Sequence, residues 1–287
     1  IVANRIQDIS DLSGITPNLS IRPSAGGSKI PQYSMRGIYT FGSAIGTDKG
    51  VSFYIDGVYI QAVAGSIFEF ADIERVEVLR GPQGTLFGRN STGGAVSVIT
   101  RKPSGEFEVG QEFTLGNNDQ FRSKTRVDLP KLGPVSLSAS YLHSEREGDT
   151  RNLGAGTVWD HRPATGGRMG TEKSPERLGD TDVEGFFLAA DIDLHPDVAL
   201  SYKFDYSQND FTSEAAGANY LLTPAALKYG GINPAVLAAY SLYNASPNPK
   251  TPIDDERPDA VNNWFTTPGH SEAWGHNFTA SWQLNDT

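Results

Sequence analysis

The chain has 287 residues, no cysteine, five histidines and a formal net charge of -10. The missing thiols exclude a disulfide framework, a thiolate metal site and a cysteine nucleophile. The acidic balance argues against nucleic acid as a partner, because phosphate neutralisation needs a basic face. No apolar run approaches about 18 residues, which excludes a membrane-spanning helix but leaves a membrane β-barrel open, since barrel strands alternate lipid-facing and lumen-facing residues.

Residues 1–103 read as a small α+β globule. It opens on a short helical pattern (Val2, Ile6, Ile9, Leu12) and continues with glycine-rich turns and β-branched runs at 51–60 and 75–79. Asp56-Gly57, between two apolar runs, predicts a type I′ hairpin. Gly81-Pro82 ends the charged segment Glu74-Arg75-Val76-Glu77-Val78-Leu79-Arg80, and Gly93-Gly94 permits a tight turn into a last strand. Pro103-Ser104-Gly105 joins the globule to the remainder of the chain.

Residues 104–287 carry about six period-two segments, near 106–115, 120–129, 135–143, 183–194, 198–207 and 273–284. Each approaches the nine to eleven or so residues that a tilted strand needs to cross a bilayer. The alternation is clearest at 198–207, where Val198, Leu200, Tyr202, Phe204 and Tyr206 interleave with Ala199, Ser201, Lys203, Asp205 and Ser207. Val135, Leu137, Ala139 and Tyr141 alternate with Ser136, Ser138, Ser140 and Leu142, while Gln111 falls on an apolar face. The turns at 131–134 and 195–197 are tight and the stretches at about 147–181 and 210–270 are long and polar, while the first connection, at Asn117-Asn118, is short and departs from this alternation. Short turns on one side and long loops on the other is the habit of outer-membrane barrels. Trp274 and Trp282 would lie about 26 Å apart along one strand, or roughly 20 Å projected at 40° tilt, near the spacing of two aromatic girdles. A soluble sheet with two core tryptophans is the other reading. Six strands cannot close a membrane barrel, whose smallest members have about eight, so the chain reads as a fragment with any export signal upstream or removed.

The densest motifs run in order from Ser34-Met35-Arg36-Gly37 through Val51–Tyr59, Asp72–Pro82 and Leu86-Phe87-Gly88 to Gly93–Pro103. This series resembles the plug domain of TonB-dependent receptors over nearly all of residues 1–103; beyond Pro103 only the strand pattern carries the likeness. The resemblance implies a plug followed by the first antiparallel strands of a transmembrane barrel, incomplete here, in a family whose barrels have 22 strands. It also implies the bacterial outer membrane as location, TonB as energy-transducing partner, and active uptake of a scarce bulky solute such as an iron–siderophore, a cobalamin or an oligosaccharide. The TonB-binding segment is not recognisable in the sequence. A passive outer-membrane channel and a soluble acidic β-rich carbohydrate-binding protein are the alternatives.

Plug charges in such a fold are expected to meet the barrel wall, which singles out Arg75, Glu77 and Arg80 on the plug and Glu112, Lys124 and Arg126 on the wall, within a lumen face that also includes Glu106, Glu108, Arg122 and Asp128. Charged contacts let a plug fill a lumen without permanent attachment, because water can replace them. For the ligand, Arg36, Tyr39, Phe41 and Gln61 supply a charge, two flat surfaces and an amide near the expected plug apex. Aromatics of the 210–270 stretch (Tyr220, Tyr240, Tyr243, Trp264, Phe265) are candidates to close over the same place.

No nucleophile elbow, two-histidine zinc helix or isolated carboxylate pair occurs, so neither an enzyme nor a metal or other cofactor is expected. Asp254-Asp255-Glu256 lacks calcium-loop spacing, and Gly84–Ser91 lacks the Lys of a phosphate loop.

Overall fold

The computed structural model describes residues 12–24, 27–39, 49–60, 73–160, 162–167, 170–215, 259–263, 266 and 268–283. The expected helical positions Val2, Ile6 and Ile9 lie outside these residues; Leu12–Ile15 forms one helical turn whose Leu12 enters the core.

Two small sheets build the N-terminal globule. The first takes β1 (Leu19–Ser24), β2 (Gly27–Met35) and β3 (Ile38–Tyr39) in that order. The second contains β4 (Val51–Ile55), β5 (Val58–Tyr59), β6 (Ile73–Arg80) and β7 (Gly94–Thr100), ordered β5-β4-β7-β6. β4 runs parallel to β7, and β6 runs antiparallel to it. One core joins the sheets, with Leu19, Ile21, Tyr33 and Met35 packed on Val51, Phe53, Val96 and Val98. Gly94 makes this closeness possible: a side chain there would strike the Leu79 carbonyl and the Met35 sulfur. Asp56 and Gly57 link β4 to β5 with φ of 48° and 82°, the left-handed pair that a two-residue hairpin demands.

The Tyr33 ring stacks near Phe53 at 6.0 Å, and its hydroxyl is buried without a hydrogen-bond partner. Burial pushes its phenol well above the ordinary tyrosine value. A raised folded-state value means that this stability is intact below about pH 10 and falls as pH rises beyond it. Tyr33→Phe is therefore expected to raise stability by about 1 kcal/mol and to flatten that alkaline loss. Thermal melts of the two proteins between neutral and strongly alkaline pH check this.

After the join, β8 (Glu108–Leu115), β9 (Phe121–Asp128) and β10 (Val135–Arg146) form an antiparallel meander. The next connection carries β11 (Thr150–Asn152), β12 (Val158–Asp160), β13 (Thr171–Lys173) and β14 (Arg177–Leu178). Then come β15 (Thr181–His195), β16 (Val198–Phe211), the short β17 (Ala260–Val261) and β18 (Gly269–Trp282). The six long strands make one wall in the order β18-β16-β15-β10-β9-β8. They overlap the six predicted segments: β10, β15 and β16 run longer, β8 and β9 are slightly shorter, and β18 begins and ends earlier.

The chain divides into two compact units. One contains the globule and nearly all of the wall; the other contains residues 146–181 and 210–269. In the second, β11 pairs with β14 on one side and, in parallel, with β17 on the other. Asn152 ties this sheet: its amide donates to the carbonyls of Pro175 and Asn263, and its oxygen accepts the N–H groups of Gly154 and Asn263. Leu178 and Val261 are fully buried beside it. Tyr220, Tyr240, Tyr243, Trp264 and Phe265 lie outside the described residues.

Candidate functional site

The site of interest is the junction of globule and wall, which lies within a single compact unit. Alternation along β16 sends Ser201, Lys203, Asp205, Ser207 and Asn209 to one face. Lys203 shows that this face meets the globule: its ammonium lies 2.9 Å from the Asp56 carboxylate and donates to the Thr100 hydroxyl at 2.7 Å. The same carboxylate accepts the Thr100 N–H at 3.0 Å and the Thr100 hydroxyl at 2.8 Å. Thr100 is fully buried, and the side chains of Lys203 and Asp56 are 12% and 11% exposed. The turn geometry of β4–β5 puts Asp56 here. Its left-handed backbone suits Asp, and its side chain reaches across to the end of β7.

A second set of contacts holds the join itself. Arg126 and Asp128, on the inner face of β9, form a bidentate pair at 2.6 and 2.8 Å. Arg126 also donates to the Lys102 carbonyl, and Asp128 accepts the Ser104 N–H at 2.8 Å. Both are buried, Asp128 completely. Arg101 pairs with Glu108 at 3.0 Å, and Glu112 pairs with Arg122 at 2.9 Å across β8 and β9. Lys124 is half-buried on the same face, opposite Glu112 in register.

The plug-side charges expected from sequence behave differently. Arg75 donates to Glu77 at 2.8 Å and to Glu74 at 3.0 Å, neighbours on its own strand. The hydrogen bond to Glu77, with the charges of both glutamates, holds its guanidinium above the ordinary arginine value. The pairing of β6 with β7 shifts register between Ile73 and Arg75, and Glu77 and Arg80 are exposed with Arg75. Arg36 sits exposed in the β2–β3 turn with φ of 51°, its guanidinium beside Gly81. Tyr39 is half exposed and its hydroxyl donates to the Gln32 amide oxygen. Arg36 and Tyr39 thus share one hairpin; Phe41 and Gln61 lie outside the described residues.

In the second unit, an open cavity of about 440 Å³ is lined by Glu147, Arg151, Asn152, Glu176, Arg177 and Asp180. Arg177 closes part of it by pairing with Glu147 at 3.0 Å.

The wall's other face carries large apolar groups. Val109, Phe113, Leu115, Trp274, Phe278 and Trp282 are all more than half exposed. Gln111, the polar residue among them, bonds to Ser123 and Thr125 of β9. An apolar outside, a charged inside and a globule held on that inside are the parts of a plugged barrel. Residues 1–95 match the family model described as the TonB-dependent Receptor Plug Domain.

Residues 1–95 belong to the plug-domain family of TonB-dependent receptors. The chain is 31% identical over 147 residues to the pesticin receptor of Yersinia enterocolitica, covering 51% of this chain and 21% of that receptor. Against the ferripyoverdine receptor of Pseudomonas aeruginosa it is 28% identical over 151 residues, covering 52% and 15%. The ferric yersiniabactin uptake receptor of Yersinia pestis has the same fold over 75% of this chain and 31% of its own, with a TM-score of 0.59 at 23% identity. The chain therefore spans about a fifth of the length of the pesticin receptor it matches.

Asp56 and Lys203 are not among the sequence candidates for plug–wall contact. The signal is present for Lys203, a lone cation midway along the polar face of the most regular strand. For Asp56 the turn preference conceals a second role.

Proposed function

We propose that the receptor takes up an iron–siderophore type of solute across the outer membrane, with TonB supplying the energy. The observation that carries this reading is the plug match over residues 1–95, since a plug fastened to its wall by buried charge contacts needs work to move. The names of two similar receptors, for ferripyoverdine and ferric yersiniabactin, support the solute class. Residues 1–103 act as the gate and residues 104–287 as the first part of the channel wall. Arg36, Tyr39, Phe41 and Gln61 contribute to solute binding at the plug apex. The face bearing Leu200, Phe204 and Trp274 lies against lipid.

The test is accumulation of radiolabelled ferripyoverdine and ferric yersiniabactin by cells expressing the intact receptor, with and without TonB. The expected result is that one chelate accumulates only when TonB is present, while its surface binding is unchanged by TonB. In Arg36→Ala, surface binding of that chelate should weaken about tenfold or more, the usual effect of losing a charged hydrogen bond. Accumulation independent of TonB would instead favour the passive channel.

A further inference from the structure

We propose that Asp56, Thr100 and Lys203 form a clasp that fixes one end of the plug to the wall, so that movement opening a path through the channel takes place in plug elements outside it. The proposal rests on the transport reading for its setting and goes beyond it in naming which part of the plug stays.

Three observations support it. The first is connectivity within the contact. Lys203 belongs to β16 of the wall, Asp56 to the β4–β5 hairpin and Thr100 to the last residue of β7, and each bonds to both of the others. Breaking the Lys203 contact leaves a nearly buried carboxylate short of its cation, a state that the surroundings resist.

The second is the covalent path. Thr100 precedes Lys102 and Ser104 by a few residues, and those two are held at β9 by Arg126 and Asp128. This strand end is therefore secured to the wall at two places, β16 and β9. Parallel pairing over Val51–Ile55 and Gly94–Val98 then carries the restraint into β4.

The third is contrast. Arg75 of β6 engages Glu74 and Glu77 of the same strand, and all three are exposed. The β2–β3 turn bearing Arg36 is likewise exposed.

The test uses the full-length receptor in detergent or liposomes and needs no knowledge of the solute. Lys203→Met keeps the length and packing of the side chain and removes the charge; Lys203→Arg keeps the charge. Hydrogen exchange is read at the amides of Asp56 and Thr100, whose N–H groups bond to the Val98 carbonyl and to the Asp56 carboxylate. In Lys203→Met both amides should exchange about tenfold faster or more, amides of β2 should be unchanged, and Lys203→Arg should resemble wild type. Asp56→Asn should give a similar acceleration at Thr100, and the double variant should be no worse than either single one, the mark of a shared contact. In cells, Lys203→Met should admit vancomycin, which intact outer membranes exclude.

Exchange at both amides within about twofold of wild type, or additive effects in the double variant, would overturn the clasp. If Lys203→Met fails to assemble, the same comparison is made with Asp56→Asn alone, where unchanged exchange at Thr100 is again fatal. These results do not depend on uptake. A receptor that accumulates no ferric chelate but shows the accelerated exchange keeps the clasp and loses the transport reading; the converse keeps transport and loses the clasp.

Discussion

Asp128→Ala is expected to destabilise the receptor by about 3–5 kcal/mol, the usual cost of removing one partner from a buried ion pair. Asp128 is fully buried and accepts two bonds from Arg126 and one from the Ser104 N–H. Alanine would leave the Arg126 cation, itself 6% exposed, without its carboxylate, and would free the join between plug and wall. The simultaneous change of both residues to leucine and methionine should cost less than Asp128→Ala alone, because no charge is left stranded. Denaturant titrations of the receptor folded in liposomes, compared for wild type, the single variant and the pair, measure this. Equal midpoints for Asp128→Ala and wild type would mean that the pair is solvated in the membrane.

Leu200→Arg should also be damaging, by up to about 2–4 kcal/mol, the cost of a cation on the lipid face, which is greatest at the bilayer midplane and falls towards either interface. Lys203 faces the plug, so the alternate residues Val198, Leu200, Tyr202, Phe204 and Tyr206 turn away from it. The same substitution at Ala199, an exposed position on the opposite face, should cost much less. The difference between the two variants, read from folding titrations into bilayers of defined lipid, is the diagnostic quantity. Similar costs at both positions would contradict the assignment of faces.

Sequence exposes the wall where one physical rule governs a whole strand. In β16 lipid and lumen demand opposite side chains at successive residues, and the pattern carries no exception across 198–207. It blurs where a local partner excuses an exception. Leu142 occupies the inner face of β10 among serines because Val183 of the neighbouring strand packs against it. Gln111 sits on the outer face because Ser123 and Thr125 satisfy its amide. His276, also outward, lies 2.8 Å from the Tyr202 hydroxyl. Each compensation comes from a neighbouring strand, which periodicity within one strand cannot register.

The site is legible in the same uneven way. Arg126 is expected from sequence as a plug–wall residue, and its contact with the Lys102 carbonyl ties the join to the wall. Arg75 is expected there for its charge, yet the two glutamates beside it on β6 engage it. Arg75 and Glu77, two residues apart, share one face of the strand, so the in-strand pair competes with any partner across the lumen, and the charge alone does not decide between them. The Asp56-Gly57 turn is evident from its dipeptide, whereas the contact with Lys203 joins residues far apart in the chain and needs the fold to bring them together. The small strands β11, β14 and β17 are equally hidden, since two or three residues each are too few for any period to emerge.

Conductance tests the gate most directly. The full-length receptor, reconstituted in a planar bilayer, is compared with a version lacking the residues up to Pro103. The intact receptor should be silent at modest voltage, because the plug is fastened to the inner wall at Lys203, Arg126 and Asp128, and removing the plug should open a large, steady pore. Equal conductance of the two proteins would contradict this, leaving the N-terminal globule as no gate at all.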